Sequence, residues 1–199
     1  MSLWRSIFVA KVIVTALRAE AEAICKILSP FKINGQEDGS YFCGKEIIVK
    51  PLGVGKENIS KNLRQFLASF HRPIDFLLNI GICGASPAYP IGSFVVPEIC
   101  IDDESGAQYV IEGNLGFRGC KGTLKTFMKA VHCQGRYDFA DMEASGVLEE
   151  ASKTLPLKTI LVGKVVSDHF APDSVDETTD AISELFKLSG SAIESFVVG

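Results

Sequence analysis

Three carboxylate residues stand next to apolar segments at positions suited to acid–base chemistry. Glu20 lies shortly after the β-branched run Lys11–Ala16, Glu143 opens a helical pattern, and Asp168 follows the apolar run Thr159–Val166. Ligands of parallel α/β sheets bind beyond the carboxyl ends of the strands, so we expect these side chains to meet there. Carboxylates gathered in this way suit proton transfer on a neutral or cationic small molecule.

Each carboxylate also has a purely structural interpretation. Asp168 would then cap a turn or a helix, as aspartate commonly does, and Glu143 would only interact with a helix dipole. Glu20 competes with Glu22 of the same predicted helix, and one of the two is expected to face solvent; counting from the strand end favours Glu20 at the site. Residue types and spacing leave the structural interpretations of the three carboxylates open.

Two glycine-containing segments, Gly53-Val54-Gly55 and Gly81–Gly84, are predicted to be turns at the same edge of the sheet. Backbone without side chains can approach a ligand closely. We therefore extend the predicted ligand site from the carboxylates to the neighbouring residues Gly81, Ile82, Cys83, Gly84, Met142 and Ser167.

The elements that position these residues alternate along the chain. Continuous apolar runs, interleaved with amphipathic helical patterns, predict an α/β sandwich with a largely parallel sheet. Because no repeat or linker interrupts the pattern, residues 1–199 are expected to form one domain. The predicted strands are Lys11–Ala16, a hairpin over Tyr41–Leu52 with its bend at Gly44-Lys45, Ile74–Ile80, Ser93–Cys100 and Thr159–Val166. The predicted helices run from Arg18 to a stop at Ser29-Pro30, over Glu57–Phe70, Lys125–Val131 and Glu143–Ser152, and from Asp176 onward, with a turn at Gly35–Gly39.

The composition is that of a folded protein, with 47% hydrophobic and 22% charged residues. The net charge of −4 lacks the basic excess of most nucleic-acid binders. The six cysteines are spread singly, which favours free buried thiols in a reducing cytosol. The apolar stretch Ser6–Ala16 is interrupted by Lys11 and lacks a small-residue cleavage site, so we expect no signal peptide, no membrane contact and a cytoplasmic location.

Several common catalytic motifs are absent from the sequence. Gly53-Val54-Gly55 begins like a dinucleotide fingerprint, but Asn58 stands at the third glycine position. No Gly-Lys pair is followed by the Ser or Thr of a phosphate loop, and no Gly-x-Ser-x-Gly elbow is present. The three histidines are not at metal-ligand spacing. We expect neither a cofactor nor a metal ion.

Five motifs, in order along most of the chain, resemble the purine nucleoside phosphorylase and nucleosidase superfamily. They are Val14–Leu17 with Glu20, Leu52–Lys56, Asn79–Ala85 followed by Ile91–Val96, Asp141–Ala144, and Val166–Asp168. The chain is most similar to the hydrolytic branch, which includes methylthioadenosine/S-adenosylhomocysteine nucleosidase and futalosine hydrolase. The resemblance implies a three-layer α/β/α sandwich with a mixed, largely parallel central sheet, and a homo-oligomer, either a dimer or larger.

The resemblance also implies a role for each carboxylate. Asp168 is similar to the aspartate that protonates the purine, Glu20 to the glutamate that activates water, and Glu143, with Met142, to the residues that contact ribose. The implied reaction is hydrolysis of the N-glycosidic bond of a purine-type nucleoside through an oxocarbenium-like transition state. No cofactor takes part in it.

Departures from the family pattern keep other functions open. Asn79 stands where phosphorylases place an arginine for phosphate, which favours hydrolysis over phosphorolysis. Ile82 replaces a Ser or Thr, and the region between Cys100 and Asp138 is shorter than in well-known members. These two features leave a catalytically weakened nucleoside-binding or assembly protein as an alternative. Lys164, where many relatives carry arginine, is expected to form a structural ion pair.

Overall fold

The computed structural model describes residues 9–28, 36–37, 39–44 and 46–198, which form one mixed sheet with helices on both faces. The eleven strands of these ranges are β1 (Ala10–Thr15), β2 (Gln36–Glu37), β3 (Ser40–Cys43), β4 (Ile47–Pro51), β5 (Ile74–Ala85), β6 (Phe94–Val95), β7 (Ile99–Asp102), β8 (Gln108–Val110), β9 (Thr123–Thr126), β10 (Phe139–Asp141) and β11 (Ile160–Asp168). Their helices are α1 (Arg18–Leu28), α2 (Lys56–Ser69), α3 (Ala144–Ala151), α4 (Thr179–Leu188) and α5 (Gly190–Val198).

The centre of the sheet is parallel. Strands β4, β1, β5 and β11 lie side by side in that order and run in the same direction. Antiparallel β10 pairs with the carboxyl-terminal end of β5 and extends the sheet through β9 and β7 to β8. The carboxyl ends of β1, β5 and β11 therefore meet at one edge, beside the end of β10.

The helices cover the two faces of the sheet, which gives the three layers that the resemblance implies. One apolar cluster receives α2 and α3, through residues such as Leu63 and Val147. The other receives α1, α4 and α5, through residues such as Ile24, Phe186 and Phe196. Strand β1 contributes to both clusters, which explains why its sequence is apolar at successive positions. Of the helices in the described ranges, none is long and apolar enough to cross a bilayer.

Most of the predicted elements are confirmed. The hairpin is formed by antiparallel β3 and β4, with Tyr41 opposite Val49, and α2 and α3 match their predictions to within one residue at each end. Gly39 lies in a turn with a φ of 72°, although Gln36–Glu37 before it form a strand. The predicted helix stop at residues 29–30, and residues 35, 38 and 45 of the predicted turns, lie outside the described residues.

The predicted helix over Lys125–Val131 is wrong. Thr123–Thr126 form β9, which pairs in parallel with both β7 and β10, and the chain after it is irregular. Leu124 is fully buried, and the Thr126 hydroxyl donates to Asp141 Oδ1 at 2.6 Å. These long-range contacts override the weak local helical pattern.

Three further predictions need correction. Gly81–Gly84 are not a turn but the end of β5, where they pair with β11. The strand predicted over Ser93–Cys100 is divided into β6 and β7 with Pro97 between them, because proline cannot donate a ladder hydrogen bond. The carboxyl-terminal tail forms two helices, separated at Ser189.

The cysteines are free thiols, but only some are buried. Cys25, Cys43, Cys83 and Cys100 are buried, whereas Cys120 and Cys133 are exposed, so the expectation of buried thiols is wrong for these two. Burial raises the pKa of Cys100 to about 12. A thiol with so high a pKa is neutral at physiological pH and inert as a nucleophile.

Candidate active site

A cavity of about 120 Å³ lies at the edge where β1, β5, β10 and β11 end. Eight of the nine residues predicted from the sequence to form the site line it, namely Glu20, Ile82, Cys83, Gly84, Met142, Glu143, Ser167 and Asp168. The ninth, Gly81, lies beneath Glu20 instead of facing the cavity. The structure therefore brings the three carboxylates together at the carboxyl edge of the sheet.

Glu20 is held in place by backbone N–H groups. The chain turns from β1 into α1 at Ala16 and Leu17, whose N–H groups donate to Glu20 Oε2 at 3.0 and 2.9 Å. The N–H of Ile82, from β5, donates to Oε1 at 2.9 Å. Burial raises the pKa of this carboxyl, although the Leu17 and Ile82 hydrogen bonds oppose the shift. A fixed carboxylate with a raised pKa is suited to accept a proton.

Glu22, the competing glutamate, lies outside the cavity. Its Oε1 accepts from Arg18 Nε and from the Tyr41 hydroxyl, both at 3.0 Å. The helical spacing of two residues places these side chains on different sides of α1. Glu20, which its distance from the strand end favoured, is thus the glutamate of this pair that lines the cavity.

The two glycines at the end of β5 make room for the carboxylates. A Cβ added at Gly81 would lie 3.0 Å from Glu20 Oε1, and one added at Gly84 would lie 3.2 Å from Asp168 Oδ1. Both distances are shorter than ordinary van der Waals contact. A side chain at either position would therefore have to displace the neighbouring carboxylate by a few tenths of an ångström, although these glycines do not form a turn.

Glu143 reaches across to the glycine segment before α2. It directly precedes α3, yet its side chain does not cap that helix. Its Oε1 instead accepts from the N–H of Gly55 at 2.8 Å, and Gly55 has a φ of 90°. Burial raises the pKa of Glu143 to about 7, against the opposing effect of the Lys164 charge. The interpretation of Glu143 as a simple helix-dipole residue therefore does not account for its contacts.

Asp168 ends β11, closes the turn that follows it and lines the cavity. Its Oδ1 accepts from the N–H of Ala171 at 2.7 Å, so the residue does close the following turn. Its Oδ2 accepts from the Ser167 hydroxyl at 2.7 Å, and the same carboxyl group lines the cavity. Ser167 Oγ also lies 3.1 Å from the carbonyl oxygen of Cys83, which ties the end of β11 to β5.

A buried ion pair lies behind the carboxylates. Lys164 of β11 places Nζ 2.8 Å from Asp141 Oδ2, which also accepts from the N–H of Ala144 at the start of α3. Burial acts to lower the pKa of Lys164, but the charges of Asp141, Glu143 and Glu20 raise it above its ordinary value. The predicted structural ion pair is confirmed, and it also supplies a positive charge near both glutamates.

The remaining lining residues come from strand ends and loops, and the sequence analysis did not predict them as site residues. They are Ala16, Leu17, Val54, Ala130, Val131, Ala140, Asp141, Phe170, Pro172, Val175 and Glu177. Among them Phe170 has a backbone signal, a φ of 57°, but no sequence pattern predicts it. Within the described chain, the residues that line the cavity include no Lys, Arg or His. The site therefore offers carboxylates and apolar surface to a ligand, and no cationic side chain.

The fold and site define an α/β protein with a carboxylate-rich small-molecule cavity at the carboxyl edge of a mixed sheet. Residues 11–194 match the family model described as the phosphorylase superfamily. The chain belongs to that superfamily. No curated protein gives a significant match to the sequence.

Solved structures of the same fold cover nearly the whole chain. Futalosine hydrolase of Helicobacter pylori is similar with a TM-score of 0.72 and 16% identity, over 96% of this chain and 98% of that one. The 5′-methylthioadenosine/S-adenosylhomocysteine nucleosidase of the same organism has a TM-score of 0.69 and 18% identity, over 96% of this chain and 99% of that one. The corresponding enzyme of Neisseria meningitidis, in complex with methylthio-immucillin-A, has a TM-score of 0.67 and 15% identity, over 95% of this chain and 96% of that one. At these identities the likeness establishes the fold.

Proposed function

We propose that this protein is a nucleosidase that hydrolyses the N-glycosidic bond of a purine-type nucleoside. The observation that carries the proposal is the convergence of Glu20, Glu143 and Asp168 on one cavity, each with its carboxylate held by backbone N–H groups. Such preorganised charges favour a reaction in which positive charge develops on the substrate. Cleavage of a glycosidic bond through an oxocarbenium-like transition state is a reaction of this kind.

Each carboxylate has a distinct step in the proposed reaction. Asp168, in its protonated form, transfers a proton to N7 of the leaving base as the bond from C1′ to the base nitrogen breaks. Glu143 accepts hydrogen bonds from the ribose 2′- and 3′-hydroxyls, and its charge stabilises the oxocarbenium sugar. Glu20 takes a proton from the water whose oxygen bonds to C1′. The products are the free base and ribose. Asp168 loses one proton and Glu20 gains one, so the number of protons on the protein is unchanged.

The raised pKa of Glu20 supports its role as the base. Burial disfavours the charged form of this carboxyl. A base is most effective when its pKa is near the working pH, because it is then both ionised and basic enough to remove a proton. The charge of Lys164 acts to lower the pKa of both Glu20 and Glu143, against the effect of burial, and so favours their ionised forms.

The character of the cavity favours hydrolysis over phosphorolysis. A phosphate co-substrate needs cationic or donor-rich side chains, and the lining residues identified in the described ranges carry carboxylates instead. Asn79, which stands where phosphorylases place an arginine, is buried within the sheet and does not line the cavity. Its Nδ2 donates to the carbonyl oxygen of Val14 at 3.3 Å.

One observation favours the alternative of a weakened nucleoside-binding protein. Ile82 lines the cavity beside Glu20 with a side chain that cannot bond to a substrate hydroxyl. We nevertheless propose activity, because the backbone N–H of Ile82 still helps those of Ala16 and Leu17 to hold Glu20 in place. One domain over residues 1–199, a homo-oligomer and a cytoplasmic location remain predictions from the sequence and the resemblance.

The experiment that tests the proposal measures base release from a panel of purine nucleosides and 5′-substituted nucleosides. Reactions with and without phosphate are followed by chromatography of the base and the sugar product. We expect release of base and free sugar at the same rate in both buffers. Formation of a sugar 1-phosphate only with phosphate would support a phosphorylase, and binding of nucleosides without turnover would support the weakened protein.

A further inference from the structure

Phe170 lies two residues after Asp168, in a turn that brings this residue to the wall of the cavity. Its φ of 57° falls in the left-handed region, which a bulky L-residue rarely adopts. Across the part of the chain that the structure describes, it is the only residue other than glycine with a positive φ. A conformation of this kind persists only where its surroundings hold it, and it is found mainly at functional sites.

The surroundings of Phe170 are built from residues of the site. Asp168 Oδ1 accepts from the N–H of Ala171 at 2.7 Å and so closes the turn around Phe170. The ring of Tyr137 packs against that of Phe170 with their centroids 5.7 Å apart and their planes at 82°. A Cβ added at Gly84 would lie 3.5 Å from Phe170 Cδ1, so β5 borders the ring as well.

Packing of the hydrophobic core does not explain the position of this ring. Phe170 is only 6% exposed, yet it belongs to neither of the two core clusters. Among the buried apolar residues in the described ranges, only Ala140 shares this property, and Ala140 also lines the cavity. Phe170 is therefore packed against Tyr137 and the end of β5, beside the cavity and outside both core clusters.

We propose that Phe170 is the aromatic wall against which the leaving base packs, and that it selects for planar aromatic leaving groups. The inference rests on the proposed function. Aromatic rings attract the faces or edges of heterocyclic bases and offer them no hydrogen bond, so Phe170 favours a planar base without distinguishing one purine from another. Because Asp168 closes the turn that contains Phe170, the hydrogen bond from the Ala171 N–H links the acid to the aromatic wall.

The test is calorimetric titration of the wild-type protein and of Phe170→Ala, Phe170→Gly and Phe170→Leu with two kinds of ligand. The first kind is a free base, adenine or hypoxanthine, and the second is an iminoribitol that carries no base. We expect the Ala and Gly variants to bind the bases about 5- to 150-fold more weakly. We expect the Leu variant to lie between them and the wild type, and all three to bind the iminoribitol within about twofold of it.

The comparison of alanine with glycine separates the ring from the backbone. Glycine adopts a positive φ without strain, whereas alanine does not. If the Gly variant binds the bases as the wild type does and the Ala variant does not, the backbone matters and the inference is overturned. It is also overturned if base and iminoribitol binding fall together with the melting temperature, or if the wild type binds neither base.

Phe127→Leu is the matched control. Phe127 packs against Tyr137 at a centroid distance of 5.3 Å but does not line the cavity, so this variant should keep its affinity for the bases. Failure of the proposed function looks different from failure of the inference. Base binding that depends on Phe170, without release of base from any nucleoside, would remove the function and leave the aromatic wall. Nucleoside hydrolysis with unchanged base affinity in the Phe170 variants would leave the proposed function and remove the aromatic wall.

Discussion

Lys164 Nζ lies 2.8 Å from Asp141 Oδ2, and both side chains are excluded from solvent. This pair joins the middle of β11 to the end of β10, and the second oxygen of Asp141 accepts from the Thr126 hydroxyl of β9 at 2.6 Å. The Asp141 carboxylate also accepts from the first N–H of α3. One buried charge pair therefore connects three strands and a helix behind the proposed catalytic carboxylates.

Replacement of the buried lysine should destabilise the protein strongly. Lys164→Met leaves Asp141, Glu143 and Glu20 without a buried counter-charge, and loss of one partner of such a pair costs about 3–5 kcal/mol. We expect the free energy of unfolding at pH 7 to fall by this amount in urea titrations, and by less at pH 5, where protonation of Glu143 removes part of the uncompensated charge.

Lys153→Met is the control for this prediction. Lys153 also makes a 2.8 Å ion pair, with Glu150, but its side chain is half exposed. Exposed pairs contribute at most about 1 kcal/mol. Equal destabilisation by the two substitutions, or a loss independent of pH for Lys164→Met, would contradict the account of the buried charge cluster.

The raised pKa of Glu143 predicts a specific dependence of stability on pH. The native carboxyl titrates at about 7, against 4.5 for an ordinary glutamate. Between these values the native state holds a proton that the unfolded chain releases, so the stability linked to this proton is full below pH 4.5 and is lost as the pH rises through 7. Relative to Glu143→Gln, the wild type should lose roughly 1–3 kcal/mol of unfolding free energy from pH 4.5 to 7.5.

Urea unfolding of both proteins across this range measures the difference. Glu143→Gln keeps the size of the side chain and removes its titration, so its curve contains the remaining groups only. A difference in unfolding free energy between the two proteins that stays constant with pH would show that burial does not shift the pKa of Glu143.

The close approach of Gly81 to Glu20 predicts that even a methyl group at this position impairs activity. In Gly81→Ala the Cβ would lie 3.0 Å from Glu20 Oε1, which must then move. Displacement of a catalytic group by a fraction of an ångström to one ångström lowers the rate, and we expect kcat/KM to fall roughly 10- to 100-fold.

Gly116→Ala serves as the control, because a Cβ at Gly116 has open space around it. Its kcat/KM should match that of the wild type. Full activity of Gly81→Ala would mean that the position of the Glu20 carboxylate is unimportant for the reaction.

The parallel centre of the fold could be predicted from the sequence because its strands are buried on both faces. The runs in β1 and β11 are apolar apart from Lys11 and Lys164 and rich in β-branched residues, and their short length favours a buried strand over a helix. Strand β9 was not predicted because it is only four residues long and is stabilised by pairing with β7 and β10 on either side. Propensity over so few residues carries little information.

The residues of the candidate site also differ in whether the sequence could predict them. Glu20, Glu143 and Asp168 could be found because each adjoins a strand end or a helix start, and those boundaries have clear signals. Phe170 could not, because its position depends on the turn closed by Asp168 and on the ring of Tyr137, 33 residues earlier. The strand form of Gly81–Gly84 was hidden by the glycines themselves, which serve close packing here and resemble a turn in sequence.

The rate of base release by Asp168→Asn in phosphate-free buffer tests the central claim most directly. The amide oxygen can still accept from the Ala171 N–H, so the turn persists, but the transferable proton is gone. We predict a loss of roughly 10²–10⁴-fold in kcat for a purine nucleoside, with substrate affinity little changed and substantial recovery for a nitrophenyl riboside, whose leaving group needs no proton. A parallel loss of stability and affinity without a selective loss of kcat would contradict the account and leave Asp168 as a structural cap.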